Sequence, residues 1–387
     1  MFNKIGMIGI FKRGMAVAMA SIALAACQVI PGGGPGATGP VSQGPSDTQL
    51  PQDDARHRVA LLVPLSGANG DVGQSIANAT TMALLDTSAE NLRITTYDTA
   101  AGAGNAARRA VADGNALILG PLVREDVNAV LAEARPAGIP LITFSNDTGI
   151  AQRDVFVMGH IPEQSIQRTV KFARTKGARR FAALVPAGEY GRRALDALKE
   201  AVADGGGQVV AIETYTRGNT SIVSAAARLE AQTSFDTVLI ADGARLAIMA
   251  AGELKEAGAA LPSIIGPELW SGEDALTRDG RMRGAWFSSV SDGRYGQFVT
   301  SYESRFGGKP YRVATLGYDA VLLTLRIARD WTPGRDFPTS RLTASDGFLG
   351  LDGPFRFRSD GIGERSMEVR QVGNGTFTVV DAAPRQF

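Results

Sequence analysis

The stretch VALLVPLSGANGDVGQSIANATTMALLD, Val59 to Asp86, decides how the rest of the chain is read. It opens on five apolar residues in a row, turns at Pro64, and passes through a loop bearing Gly67, Gly70 and Gly73. A helical pattern follows, with Val72, Ile76, Ala79, Ala83 and Leu84 on one stripe. Asp71 with Gln74 three residues on suggests the N-cap of a helix over 71–87. An apolar strand without polar alternation is the mark of a sheet covered on both faces, which means a parallel sheet with crossover helices.

Such a strand–glycine loop–helix unit is also how a nucleotide site begins. A dinucleotide fingerprint, however, needs Gly-x-Gly-x-x-Gly, so that the second glycine lets the backbone meet the pyrophosphate. The spacing here is wrong for it, and no Gly-Lys-Ser/Thr follows for a P-loop. Asp98, at the end of the second strand, then reads as a turn residue. The loop is expected to wall a cleft, and no cofactor is expected.

Working outward, LRITTYD, NALILGP and IPLITFS read as further strands, with helices near 104–113 and 124–136 between them. The rhythm restarts at RFAALVPAGEYGRRALDALKEA (180–201), which repeats the order strand, proline, glycine loop, helix. QVVAIETY, FDTVLIAD and LPSIIGPE follow as strands, with helices near 220–232 and 244–257. Two successive open parallel sheets predict an α/β fold of two lobes with a cleft between them. The first crossing between lobes is expected in VFVMGHIPEQSIQ (155–167). GAWFSSVSD (284–292) reads as a strand returning to the first lobe, followed by two helices and a β-rich tail with an Asn374-Gly375 hairpin. Lobe 1 is thus expected over about 58–158 plus parts of 290–387, and lobe 2 over about 162–288 plus parts of the C-terminal third.

The start of the chain has a different character. Lys4, Lys12 and Arg13 precede the apolar run GMAVAMASIALAAC, which at about 14 residues is shorter than the ~20 that span a bilayer. It ends at Cys27, the sole cysteine, which has neither a disulfide partner nor companion metal ligands. Leu24-Ala25-Ala26-Cys27 resembles a bacterial lipobox, which implies a signal peptide over 1–26, a lipidated Cys27 and an anchor in the membrane; Gln28 is compatible with the outer membrane. Residues 28–56 are rich in Gly, Pro, Ser and Gln and read as a disordered tether, so the folded body is expected from residue 58. The 40 basic and 39 acidic residues give no electrostatic case for nucleic acid.

In open parallel sheets, ligands bind beyond the carboxyl ends of the strands. The residues at those positions are Ser66, Gly67, Arg124, Ser145 and Asn146 in the first lobe and Tyr190, Asp242 and Glu268 in the second. Each can equally be an exposed cap or turn residue.

VALLVPLSGANGDVGQSIANATTMALL, LILGPLVREDV, IPLITFSND, LGYDAVLL and FLGLDGPFRF, in this order over about Arg58 to Asp381, resemble the type I periplasmic binding fold and its leucine-binding-protein branch. That resemblance implies a receptor delivering an amino acid or related small polar solute to an ABC permease. In that branch, small hydroxyls and backbone amides hold the ligand carboxylate and a second-lobe acid holds its ammonium. This chain departs from the pattern: Val123-Arg124-Glu125-Asp126 stands where the hydroxyls would be, and Asp147 stands near the expected Thr and would repel a carboxylate. LGPLVREDVNAVLAEARPAGIPLITFSND also resembles the carboxy-terminal domain of the penicillin-binding protein activator lipoproteins, which implies contact with a peptidoglycan synthase. The helical-repeat amino-terminal domain of the longer members is not expected in these residues.

No Gly-x-Ser-x-Gly or His-Glu-x-x-His motif occurs, and the two histidines, His57 beside the tether and His160 near the first crossing, are far apart in sequence. Acid pairs such as Glu125-Asp126 and Glu273-Asp274 read as solvated helix starts. Neither catalysis nor a metal is expected. The preferred reading is a non-catalytic, lipid-anchored periplasmic protein acting on a penicillin-binding protein by contact, with the solute receptor as the alternative.

Overall fold

The computed structural model describes residues 55–232, 234–254 and 263–387, all within the unit Gln49–Phe387. The expected signal peptide, Cys27 and most of the expected tether lie outside the described residues.

The opening stretch forms β1 (His57–Val63), a 3-10 turn (Gly67–Asn69) and the helix Gly70–Asp86. Around β1 gather β2 (Leu92–Asp98), β3 (Leu117–Leu119), β4 (Leu141–Thr143) and β5 (Val155–Val157), all parallel, in the order β2-β1-β3-β4-β5. The unbroken apolar run of β1 is explained by what covers it. Val59, Leu61 and Val63 pack with Ile76, Leu316, Ala320 and Leu323 on one face, while Ala60 and Leu62 pack with Ala106, Ala107, Val127 and Val130 on the other.

Asp71 is not the N-cap. The cap is Asn69, without a side-chain bond, and Asp71 lies within the first turn, where its charge still suits the helix dipole. The 3-10 turn feeds directly into the helix and moves its start forward to Gly70. Gln74 bonds Asn78 instead of reaching back. The glycine at 73 serves packing: a Cβ there would run into the Pro64 carbonyl oxygen, so Gly73 lets the helix pack closely on the end of its own strand.

The second sheet comprises β6 (Arg180–Pro186), β7 (Gln208–Tyr215), β8 (Thr237–Ile240), β9 (Ser263–Gly266) and β10 (Trp286–Ser289). GAWFSSVSD therefore does not return to the first lobe. Its strand, β10, pairs with β9, and the return comes just after it. Apolarity marks a strand as buried without saying in which sheet. The helices Tyr295–Phe306 and Thr315–Ala328 then pack on Gly70–Asp86, and β11 (Phe348–Gly350), β12 (Gly353–Phe357) and β13 (Gly363–Arg365) form a small antiparallel sheet against the first core. Finally β14 (Glu368–Val372) and β15 (Phe377–Asp381) rejoin the second sheet as the Asn374-Gly375 hairpin, giving the order β15-β14-β10-β9-β8-β6-β7.

The chain thus crosses between sheets near 158–161, 290–294 and 366–367. Buried charge ties these crossings together. Asp352, fully buried, bonds His160 Nε2 at 2.9 Å, Arg312 Nη1 at 2.7 Å and Thr315 Oγ1 at 2.9 Å. Arg365 reaches Asp319 at 3.3 Å and the Met158 carbonyl at 3.2 Å. Arg370 pairs with Asp292 and with Glu368 at 2.7 Å, and donates to the Val290 carbonyl at 2.8 Å. The facing arginines hold the Asp352 carboxyl below its usual range against the pull of burial, while burial and the neighbouring Asp352 charge push Asp319 up to about 7. Among the described residues no helix is long and apolar enough to cross a membrane.

Candidate functional site

The loops at the carboxyl ends of both sheets come together, as the topology requires. Arg193, on the helix Glu189–Ala203 that follows β6, donates to the backbone carbonyl of Asn146, in the loop after β4, at 2.8 Å. The same guanidinium grips Glu163 with two bonds of 2.6 and 2.7 Å. Glu163 lies in the first turn of the helix Pro162–Thr175, just past the first crossing. One arginine thus joins the first-lobe wall, the second-lobe wall and the linker.

On the first wall, Arg124 is the first residue of the helix Arg124–Ala134, and its guanidinium pairs with Asp147. The Asp147 carboxylate is nearly buried and also caps the turn Thr148–Ile150 by accepting from Gly149 N at 2.8 Å. Ser145 is consumed locally too: its hydroxyl accepts from Asp147 N at 3.1 Å. Sequence reading placed Arg124 among the candidates at the strand ends and read Asp147 as a repeller of a carboxylate. In the structure they neutralise one another, so neither stands ready for a ligand carboxylate. Ser66 and Gly67 are exposed at the 3-10 turn, and the Ser66 hydroxyl makes no capping bond.

The second wall is different. Asp242 is engaged, accepting from Tyr215 Oη, Arg217 Nε and its neighbour Gly243 N, each at 2.8 Å. Arg217 in turn lies over the Tyr190 ring, 4.8 Å from its centroid. By contrast, the Tyr190 hydroxyl, Glu268 Oε2 and Ser271 Oγ are buried with no hydrogen-bond partner among the described residues. Burial pushes the Glu268 carboxyl up to about 7, helped by the Glu163 charge and opposed by a backbone hydrogen bond and by Arg193. Burial first, and the Glu268 charge second, also raise the Tyr190 phenol. A buried polar atom without a partner costs about 1–3 kcal/mol, so a cluster of them marks a place shaped for something polar.

Sequence reading missed Arg193, Glu163 and Arg217. A signal existed for the first: Arg192 and Arg193 sit in the opening turns of a helix, where the dipole disfavours cations, and such placement calls for a carboxylate nearby. Arg192 has one in Glu189, Arg193 in Glu163. Among the described residues no group of three or more His, Cys, Asp or Glu could hold a metal ion.

Two α/β lobes joined by three crossings, with the loops after their parallel strands brought together, match a known family: the model for periplasmic binding proteins covers residues 57–376. The chain belongs to the periplasmic binding protein family. Among solved structures, this periplasmic binding protein is similar to a putative branched-chain amino acid ABC transporter from Rhodospirillum rubrum, with a TM-score of 0.74, 21% identity, and 84% of this chain and 100% of that one covered. It is also similar to the LpoA (YraM) C-domain from Haemophilus influenzae, a regulator of PBP1A, with a TM-score of 0.65, 18% identity, and 84% and 99% covered. At these identities the likeness is one of fold. In sequence, the uncharacterized protein RP748 of Rickettsia prowazekii (strain Madrid E) is 29% identical over 134 residues, which is 34% of this periplasmic binding protein and 36% of that relative's length.

Proposed function

We propose that this periplasmic binding protein is held to a membrane by lipidated Cys27, works in the periplasm and acts by contact, stimulating a penicillin-binding protein, with its cleft retained as scaffold. The observation that carries this reading is the Arg124–Asp147 pair, which occupies the first-lobe wall where a zwitterion's carboxylate would need open donors. With Ser145 bonded to its own loop, that wall offers an ion pair in place of a hydroxyl clamp. The fold shared with a PBP1A regulator lends support. The test adds the purified lipoprotein to a purified penicillin-binding protein and follows glycan polymerisation and cross-linking. A several-fold rise in rate is expected, and an unchanged rate across the organism's synthases would overturn the reading.

A second reading, delivery of an amino acid to an ABC permease, is favoured by Glu268 Oε2 and the Tyr190 hydroxyl, which have no hydrogen-bond partner among the described residues and suit an ammonium group. Thermal unfolding of the full chain with single amino acids at millimolar concentration separates the two. A ligand of micromolar affinity, a thousandfold in excess, stabilises by about 4 kcal/mol. Such a shift, lost in Glu268→Gln, would establish the receptor reading.

A further inference from the structure

At the opposite end of the first lobe, where the parallel strands begin, lies a cavity of about 460 Å³. Its wall is built from the amino end of β1, the turns leading into β3 and β4, and the segment after the helix Thr315–Ala328. That volume lies within the range of small-molecule sites. Three arginines line it, Arg56, Arg58 and Arg335, against one acidic residue, Asp336. Arg58 is anchored by a bond to the Asp113 carbonyl at 3.0 Å. Arg335 is exposed on the rim, and its guanidinium makes no hydrogen bond or ion pair among the described residues.

The floor is rigid and partly polar. His57, 3% exposed, stacks on Trp331 with ring centroids 4.1 Å apart. The Trp331 indole is fixed by donation to the Arg335 carbonyl at 2.8 Å and by edge contact with Phe337. His57 Nδ1 is buried without a hydrogen-bond partner among the described residues. A neutral apolar guest would satisfy neither the Arg335 guanidinium nor that nitrogen.

We propose that this cavity is a second ligand site, separate from the interlobe cleft, and that it takes a small hydroxylated organic anion with the chemistry of an acidic sugar or hydroxy acid. The carboxylate meets Arg335 and Arg58 at the rim, and hydroxyl groups meet the buried polar floor. The site lies where residues 55–57 lead into β1, so an occupant there would be read out at the junction between the folded body and the chain that precedes it.

The probe is D-glucuronate, with D-glucose as its uncharged counterpart, titrated against the full chain while thermal midpoint and tryptophan fluorescence are followed. Glucuronate should raise the midpoint and perturb the emission of Trp331, and glucose should do neither. Because Arg335 is exposed, Arg335→Glu should fold normally yet weaken the response at least about tenfold, the loss expected for one charge-assisted contact. Glu268→Gln, in the cleft, should leave the response intact. The proposal is overturned by silence toward glucuronate, by equal responses to both sugars, or by a response that survives Arg335→Glu.

Discussion

The two lobes open with the same junction and end with opposite walls. In each, a buried strand ends at a proline, and a glycine in the first turn of the next helix packs against that proline's carbonyl: Pro64 with Gly73, and Pro186 with Gly191. The first lobe inserts four more residues between the two, and they form the exposed 3-10 turn that carries Gly67. Beyond the junctions the likeness stops. The first wall has spent Arg124, Asp147 and Ser145 on one another, while the second keeps Glu268 Oε2, the Tyr190 hydroxyl and Ser271 Oγ buried with no hydrogen-bond partner among the described residues. Backbone geometry is shared because it is what the fold needs; side-chain pairing diverges because it is what the site does.

The junctions should be the most sensitive points. Gly73→Ala and Gly191→Ala each force a methyl into a backbone carbonyl that cannot swing aside, and each should cost about 3 kcal/mol or more, read by urea unfolding. Tolerance of one and not the other would mean that the two junctions differ after all.

Glu268 sharpens the contrast between walls through pH. Its folded pKa, about 7, stands above the ordinary carboxyl value of 4.5. A carboxyl raised by folding contributes stability that is whole below the unfolded pKa and is lost as pH rises through the folded one. Stability should therefore fall by up to about 3 kcal/mol between pH 4.5 and 7 on account of this group, with Asp319 adding to the decline in the same direction. Glu268→Gln should match the wild type near pH 4 and exceed it at pH 8, and parallel profiles would show that the acid has a partner in solution.

The fold was legible because its signals are local. Unalternating strands such as Val59–Val63, prolines at their ends and glycines just after them specify parallel strands and crossover helices one unit at a time. Membership in a sheet is not local, which is why β10 was assigned to the wrong lobe: Trp286–Ser289 looks the same whichever sheet it joins. The site was legible only as positions. Loops after strands could be named, yet the partners of Arg124, Arg193 and Asp242 lie 23, 30 and 25 residues away, and nothing in a single sequence announces such pairs. His57 is the sharpest case. Read as a residue beside the tether, it is a buried strand residue stacked on Trp331, 274 positions later.

The smallest expected effect tests whether the first wall is closed by design of its ion pair or by its loop. Arg124 is half exposed and Asp147 nearly buried, so water screens the pair and its net worth is at most about 1 kcal/mol. Arg124→Ala should accordingly cost less than that. Asp147→Ala removes the same pair and also the cap on Gly149 N, and should cost about 1–2 kcal/mol. The difference between the two variants measures the cap. If Arg124→Ala costs as much as Asp147→Ala, the guanidinium holds the wall by itself. If Arg124→Ala is neutral and also lets the protein respond to amino acids, then the pair is a plug, and removing it restores to the first lobe the openness that the second has kept.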